Sequence, residues 1–283
     1  MLRGGLGNQL FIYAASQKIA KDLNISNIKY IYNFDVLKNF IGINFFIKNI
    51  NIEKSASNKY FDRIKNFVKY FFFNKVIKED VTKIEIKFWQ KSFAMDGYFQ
   101  NKHWYKSELF KIIENILSSK IKKKLRNIKI YDVVISFRRG DYVGYGWALD
   151  LNYYYSAIKK LKIKKKEKIK IICKDRLIFR KFASYLHQKG YLVENNKKFS
   201  FEKKQSLDDF LSIIKSKKLI MSNSSFCWWG AVCRHKLGLF PKNVIFPKFW
   251  LPKKIRKAQP KNCHPGNPMG WVGISNAFEK KSK

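Results

Sequence analysis

From residue 130 onward, short apolar runs alternate with segments whose apolar residues recur every three to four positions. Ile130-Tyr131-Asp132-Val133-Val134-Ile135-Ser136-Phe137 is the strongest run, and a stretch apolar at nearly every position predicts a strand buried on both faces. Further strands are predicted at Lys168–Cys173, Tyr191–Val193, Lys218–Met221 and Val244–Phe246. Helices are predicted over Tyr153–Leu161, Ile178–Leu186, Leu207–Ile214 and Phe226–Leu237, the last ending at Gly238. This alternation predicts an α/β fold with a parallel sheet covered by helices. Ligands of such sheets bind beyond the carboxyl ends of the strands. Upstream, Leu10, Phe11, Ala14, Ala15 and Ile19 form a helix face, Phe93–Phe99 reads as a strand and His103–Leu117 as a helix. The lysine run Lys120–Lys129 is either a solvated helix end or a link. Residues 24–80 show no usable period, so no element is assigned there.

The length of 283 residues suggests about two domains. Apolar residues make up 46% of the chain, with 25 Phe, 15 Tyr and 7 Trp, which is enough for a core and excludes global disorder. Lys+Arg number 59 against 20 Asp+Glu, a formal net charge of +39. Such a surplus attracts nucleic acid, anionic lipid and phosphorylated ligands. It is also the lysine-rich mix, with many Asn and Ile, that an A/T-rich genome places on any solvated face. It is compatible with an electrostatic hold on an anionic membrane surface. No zinc-finger spacing and no RNA-recognition aromatic pattern accompanies the charge, which argues against nucleic acid as a partner.

Cys173, Cys227, Cys233 and Cys263 form no Cys-x-x-Cys pair and are expected to be reduced thiols. Met1-Leu2-Arg3-Gly4-Gly5 has no signal-peptide character, and no apolar stretch is long enough to span a bilayer. The expected location is therefore the cytoplasm, peripheral to the inner face of its membrane. The aromatic cluster Tyr70-Phe71-Phe72-Phe73 is short and flanked by Lys69 and Lys75, so it reads as core or as an interfacial patch.

Three segments carry candidate chemistry. Gly4-Gly5-Leu6-Gly7-Asn8-Gln9 opens a helix, where glycines admit a close ligand and helix N–H groups face an anion. The same turn can be purely structural. Phe137-Arg138-Arg139-Gly140-Asp141-Tyr142 follows the strongest strand, and two arginines at a strand's carboxyl end suit the paired bonds that guanidinium makes to phosphate. One of them, Arg139 foremost, can instead pair with Asp141 inside the fold. Met221-Ser222-Asn223-Ser224-Ser225-Phe226-Cys227-Trp228-Trp229-Gly230 turns from strand to helix with hydroxyls that can cradle phosphate or cap the helix. Trp228 and Trp229 read as helix–sheet packing.

Together these segments, in this order and with Gly97-Tyr98-Phe99-Gln100, resemble the α-1,2-fucosyltransferases of glycosyltransferase family eleven over nearly the whole chain. The resemblance implies a GT-B-like architecture of two Rossmann-like domains facing a cleft. Residues 1–125 would form the acceptor-side domain and 126–250 the nucleotide-sugar domain, with about 250–283 packing back on the first. It implies a GDP-β-L-fucose donor, transfer with inversion to the 2-hydroxyl of a terminal galactoside on a surface glycan of the lipopolysaccharide O-antigen type, and no metal cofactor. The absence of an Asp-x-Asp motif agrees with the last point.

In that reading Arg138 binds the β-phosphate and offsets the leaving charge, and Asp141 is a candidate base. Ser224 and Ser225, with Asn223, hold phosphate oxygens. Gly7, Asn8 and Gln9 reach the donor from the other domain. Ser136, Arg139 and Asp175 complete the donor set, Asp175 toward guanine or ribose. Two departures stand out: Ser136 occupies the family's usual histidine position, and Cys173-Lys174-Asp175 replaces its Ser-Asp-Asp. They raise a second reading, another GDP-deoxysugar on the same fold.

Overall fold

The computed structural model describes residues 2, 4–33, 42–47, 50, 52–55, 75–78, 93–194, 203–258 and 264–279. Cys263 and the cluster Tyr70–Phe73 lie outside them. The chain divides into two compact units, Met1–Ile116 with Pro260–Gly266, and Leu117–Gln259 with Asn267–Lys283.

In the first unit, α1 (Leu6–Asp22) starts after Gly5, whose extended backbone makes it the cap. The predicted face of Leu10, Phe11, Ala14, Ala15 and Ile19 is buried, as are Leu6 and Ile12, so this helix runs through the core. Two pairs of short parallel strands follow, β1 (Tyr30–Asn33) with β2 (Ile52–Ser55), and β3 (Lys75–Lys78) with β4 (Phe93–Asp96). The helix predicted over His103–Leu117 is two helices, α2 (Lys102–Tyr105) and α3 (Leu109–Ile116). The chain turns at Lys106–Glu108 between them. Trp104 and Tyr105 go inward, Tyr105 against Phe11 at 5.4 Å between rings, and then Leu109, Ile112, Ile113 and Ile116 do so.

The second unit opens with α4 (Ser119–Asn127), which resolves the lysine run as a helix pinned by Ile121 and Leu125, four residues apart on one face. Its sheet has six parallel strands. They are β5 (Val133–Ser136), β6 (Lys168–Ile172), β7 (Leu192–Val193), β8 (Lys218–Ile220), β9 (Val244–Pro247) and β10 (Val272–Ile274), in the order β10-β9-β8-β5-β6-β7. Counted from β5 this is 6-5-4-1-2-3, the order of a doubly wound dinucleotide-type sheet. Every residue of β5 is buried, as its unbroken apolar run predicts. The connecting helices are α5 (Asp141–Tyr145), α6 (Leu151–Lys160), α7 (Arg176–Gln188), α8 (Lys203–Lys215) and α9 (Ser225–Lys236), with α10 (Lys253–Ala258) before β10. Asp150 and Asp175 cap α6 and α7, accepting the N–H groups of Tyr153 and Ile178 at 3.1 Å each. Val133, Ile135, Ile169 and Ile171 pack against Tyr153, Tyr154, Phe179 and Phe182, with Phe137 stacked on Tyr154 at 3.8 Å.

On the other face α9 lies against α8. A Cβ at Gly230 would stand 2.5 Å from Ile213 Cγ2 and 3.2 Å from its Cβ. Alanine ordinarily gains about 1 kcal/mol over glycine inside a helix. Here the β-branched Ile213 has essentially one rotamer and cannot swing away. Gly230→Ala is therefore expected to destabilise by roughly 1–3 kcal/mol, read from the denaturation midpoint. A midpoint at or above that of the parent would contradict this packing.

Trp228 and Trp229 are fully buried, in the packing role read from the sequence. Cys173, Cys227 and Cys233 are free and buried. Arg234, near the end of α9, is also buried. Its Nη1 donates to Ser216 O, to Ser216 Oγ at 2.6 Å and to Ile213 O at 3.3 Å, and its Nη2 donates to Lys217 O at 3.0 Å. These acceptors cluster at and just beyond the carboxyl end of α8, whose last carbonyls have no helical donors. Burial lowers the Arg234 pKa to about 10.

Candidate functional site

In the second unit the chain leaves β5 toward β6 on one side and β8 toward β9 on the other, so the order reverses between β5 and β8. The carboxyl ends of these two strands bound the crevice where doubly wound sheets take their ligands. Ser136 ends β5, and Met221-Ser222-Asn223-Ser224 leads from β8 into α9. The structure brings these residues together, with the Ser136 and Ser222 hydroxyls 3.5 Å apart and both side chains buried. Cys227 lies against them. Burial pushes its thiol up to about 12, against opposing hydrogen bonds with the Ser136 side chain and the Ser222 backbone, so it is no nucleophile near neutral pH.

Tyr153 fixes the exit of β8 by donating its hydroxyl to Met221 O at 2.7 Å. Asn223, fully buried, donates from Nδ2 to Trp147 O at 2.9 Å and to Trp250 O at 3.0 Å. One amide thus ties the segments that follow β5, β8 and β9 into a single rim. Its Oδ1 is buried with no protein donor among the described residues. Ser224 caps α9 through its extended backbone, and its hydroxyl makes no capping bond to the helix. Ser225 is the first helical residue, half-buried like Ser224.

The two arginines separate as their adjacency after a strand demands, but not with the partners expected. Arg138 reaches Asp141, Nη2 to Oδ1 at 2.7 Å, and lies over the Tyr142 ring at 4.7 Å. It is 39% exposed and Asp141 is 51% exposed. The pairing of Asp141 with Arg139 is thereby overturned. Gly140, at φ +69 before the short α5, turns Asp141 back toward Arg138. Arg139 goes inward instead, 9% exposed, with Nε on Asp175 Oδ2 at 3.2 Å and Nη1 on Glu279. Burial alone would lower its pKa, and the two carboxylates more than offset that, leaving it above the ordinary value. Asp175 is committed twice, to Arg139 through Oδ2 and to the α7 cap through Oδ1.

Glu279 is the residue that sequence reasoning missed. It arrives because Ala277–Glu279 runs antiparallel to Ala148–Asp150, with Asp150 N–H on Ala277 O at 3.3 Å and Glu279 N–H on Ala148 O at 2.9 Å. A single glutamate followed by Lys-Lys-Ser-Lys gives no local signal of this contact.

Gly7, Asn8 and Gln9 belong to the first unit, in the first turn of α1. Gly4 is left-handed at φ +71, and a Cβ there would meet Asn8 Nδ2 at 2.6 Å. Gln9 is fully buried. It donates from Nε2 to Gly4 O at 2.8 Å and accepts at Oε1 from Ile43 N–H at 3.0 Å, so its amide holds the turn closed. Asn8 Oδ1 accepts from Gln100 Nε2 at 2.9 Å, which joins the glycine turn to Gly97-Tyr98-Phe99-Gln100. Phe99 is held at φ +53, a conformation costly for a bulky residue, by complete burial edge-on to Trp104 at 5.2 Å. Among the described residues no three of His, Cys, Asp and Glu gather as metal ligands.

The described residues of the second unit thus form a doubly wound parallel sheet with Arg138 and a serine-rich helix start at its switch point, where sheets of this order take their ligands. No protein-family profile matches the chain. The chain is similar to the O-antigen biosynthesis glycosyltransferase WbnK of Escherichia coli, 26% identical over 292 aligned positions that cover 88% of this chain and 93% of that protein. This similarity, spread over most of both chains, supports a glycosyltransferase.

Proposed function

We propose that the protein transfers L-fucose from GDP-β-L-fucose, with inversion and without a metal, to the 2-hydroxyl of a terminal galactoside in an O-antigen-type glycan. The observation that carries the reading is that the half-exposed Arg138 follows β5 while Ser224 and Ser225 open α9 after β8, the two neighbouring strands at which the order reverses. The similarity to an O-antigen glycosyltransferase supports the acceptor class. The second unit is then the donor domain and the first the acceptor-side domain of a GT-B enzyme, working at the cytoplasmic side of a membrane.

In the step we propose, the acceptor oxygen forms a bond to fucose C1 as the bond from C1 to the β-phosphate oxygen breaks. GDP departs with the electron pair, and the acceptor's hydroxyl proton passes to bulk water. Arg138 keeps N–H donors beyond the one given to Asp141 and faces the phosphate charge that grows during this step. Ser224, Ser225 and the first N–H groups of α9 add neutral donors. Asp141 acts as a positioning residue for Arg138. Arg139 and Asp175 hold the floor of the site and leave direct donor contact to the residues above them. Asn8 contributes from the first unit, with Gln9 as its support.

The test is incubation with GDP-fucose and a panel of β-galactosides, read by mass spectrometry, with GDP-linked deoxysugar competitors in parallel. A deoxyhexose added to the galactoside is the expected product. Activity in excess EDTA is expected to equal that with magnesium or manganese, because no Asp-x-Asp is available to hold a cation on the diphosphate. A large loss on chelation overturns the metal-free step. The position of Ser136 favours one competing donor reading, since a small buried hydroxyl stands where the resembling family has an imidazole. Preference for another GDP-deoxysugar in the same panel would establish that reading.

A further inference from the structure

The amino edge of the six-stranded sheet, opposite the crevice, carries a different surface. α9 ends there at Lys236, and the chain returns to β9 through Leu237–Asn243. This turn is fixed. Gly238 is left-handed at φ +73 and donates to His235 O at 3.1 Å, Leu239 N–H donates to Arg234 O at 3.3 Å, and Asn243 N–H donates to Phe240 O at 3.1 Å. On it Phe240 is 72% exposed and Leu237 is 40% exposed, with His235, Lys236 and Lys242 exposed around them. Lys217 and Lys218 start the neighbouring β8 on the same edge, paired to Asp132 and Glu167. From Phe210 to Phe278 the sequence contains no Asp or Glu, so the turn has no acidic neighbour in sequence.

We infer that the turn Leu237–Lys242 docks the second unit on an anionic lipid bilayer. Phe240 and Leu237 enter the boundary between headgroups and acyl chains, and Lys236 and Lys242 meet lipid phosphates. A rigid turn loses little freedom on insertion. Two apolar side chains ringed by cations match the layered chemistry of such a surface. They make too small a patch for a stable protein interface, and a nucleic acid has no apolar layer to receive Leu237. The strands are parallel, so a bilayer at their amino edge lies on the side opposite Arg138 at their carboxyl edge. This docking does not depend on which donor the crevice takes.

The test is sedimentation of the full chain with vesicles of phosphatidylcholine alone or mixed with phosphatidylglycerol. Melting temperatures are measured alongside, and single-stranded RNA serves as competitor. The protein is expected to sediment with the anionic vesicles. Leu237→Asp/Phe240→Asp is expected to weaken that binding at least tenfold with an unchanged melting temperature. Phe240→Ser, which alters no charge, is expected to weaken it severalfold. Leu177→Asp, at a residue 78% exposed at the start of α7 on the opposite edge, is expected to change it little. Equal binding by parent and double variant overturns the inference, and so does an equal loss in Leu177→Asp. Displacement of the parent by RNA, with RNA binding lost in the double variant, overturns it in favour of a nucleic-acid surface.

Discussion

Arg138→Ala is expected to lower turnover by roughly 10²-fold or more while leaving the melting temperature near that of the parent. The side chain is 39% exposed and its partner Asp141 is 51% exposed, so truncation opens no cavity and leaves a carboxylate that water can solvate. The loss therefore reports on chemistry. Arg138→Lys is expected to recover little, because an ammonium keeps the charge and loses the planar fork that bonds two phosphate oxygens, as well as the guanidinium contact with Tyr142. Arg139→Ala provides the contrast. It removes the cation that two inward carboxylates share, and it is expected to destabilise by about 2 kcal/mol, less than a fully buried pair would because Asp175 and Glu279 are each about a quarter exposed. Turnover and melting temperature measured together for the three variants separate the roles. Near-normal turnover in Arg138→Ala would remove the residue from the proposed step.

The second large effect is one of stability. Arg234→Ala is expected to destabilise the second unit by roughly 3–5 kcal/mol. The guanidinium serves three carbonyls and one hydroxyl at the end of α8, and all its partners are neutral acceptors. Truncation removes the guanidinium donor from Ser216 O and Lys217 O, at about 1–3 kcal/mol for each group left unsatisfied, while Ile213 O keeps the Ser216 hydroxyl at 3.0 Å, and it adds a cavity. Arg234→Met refills much of the volume and none of the hydrogen bonds, so it is expected to recover only part of the loss. A fall in melting temperature on the order of 10 °C is the scale for the alanine variant. A midpoint within experimental error of the parent would mean that α8 ends without needing this cap.

The sequence showed the frame of the second unit and hid its wiring. β5 was legible because Val133-Val134-Ile135 is buried on both faces, and its boundary sets the positions of Arg138 and Arg139. Which carboxylate each arginine meets was not legible. Arg138 finds Asp141 three residues on, through the left-handed Gly140, whereas Arg139 finds Asp175 across β6 and Glu279 at a separation of 140 residues. No local pattern encodes a contact of that span. β10 was missed because Val272-Gly273-Ile274 is a partly exposed edge strand too short for any alternation. The break between α2 and α3 was missed because both helices continue one apolar period, and only the turn at Lys106–Glu108 separates them. In the glycine turn, Gln9 could be read equally as ligand contact or scaffold. Its hydrogen bonds to Gly4 and to Ile43, thirty-four residues away, give it a part in closing the turn.

The clasp formed by Ala277–Glu279 against Ala148–Asp150 also orders events in time. During synthesis, β5 and both arginines emerge long before residue 279 exists, so Arg139 must wait with one carboxylate until the second is made. Closing a loop of this length adds only about 0.6 kcal/mol for each doubling of the span, so the wait costs little at equilibrium. It matters kinetically, since contacts of high sequence separation are the slow ones. A nascent chain that stops short of residue 277 carries the strand and the arginines without the Glu279 brace on Arg139.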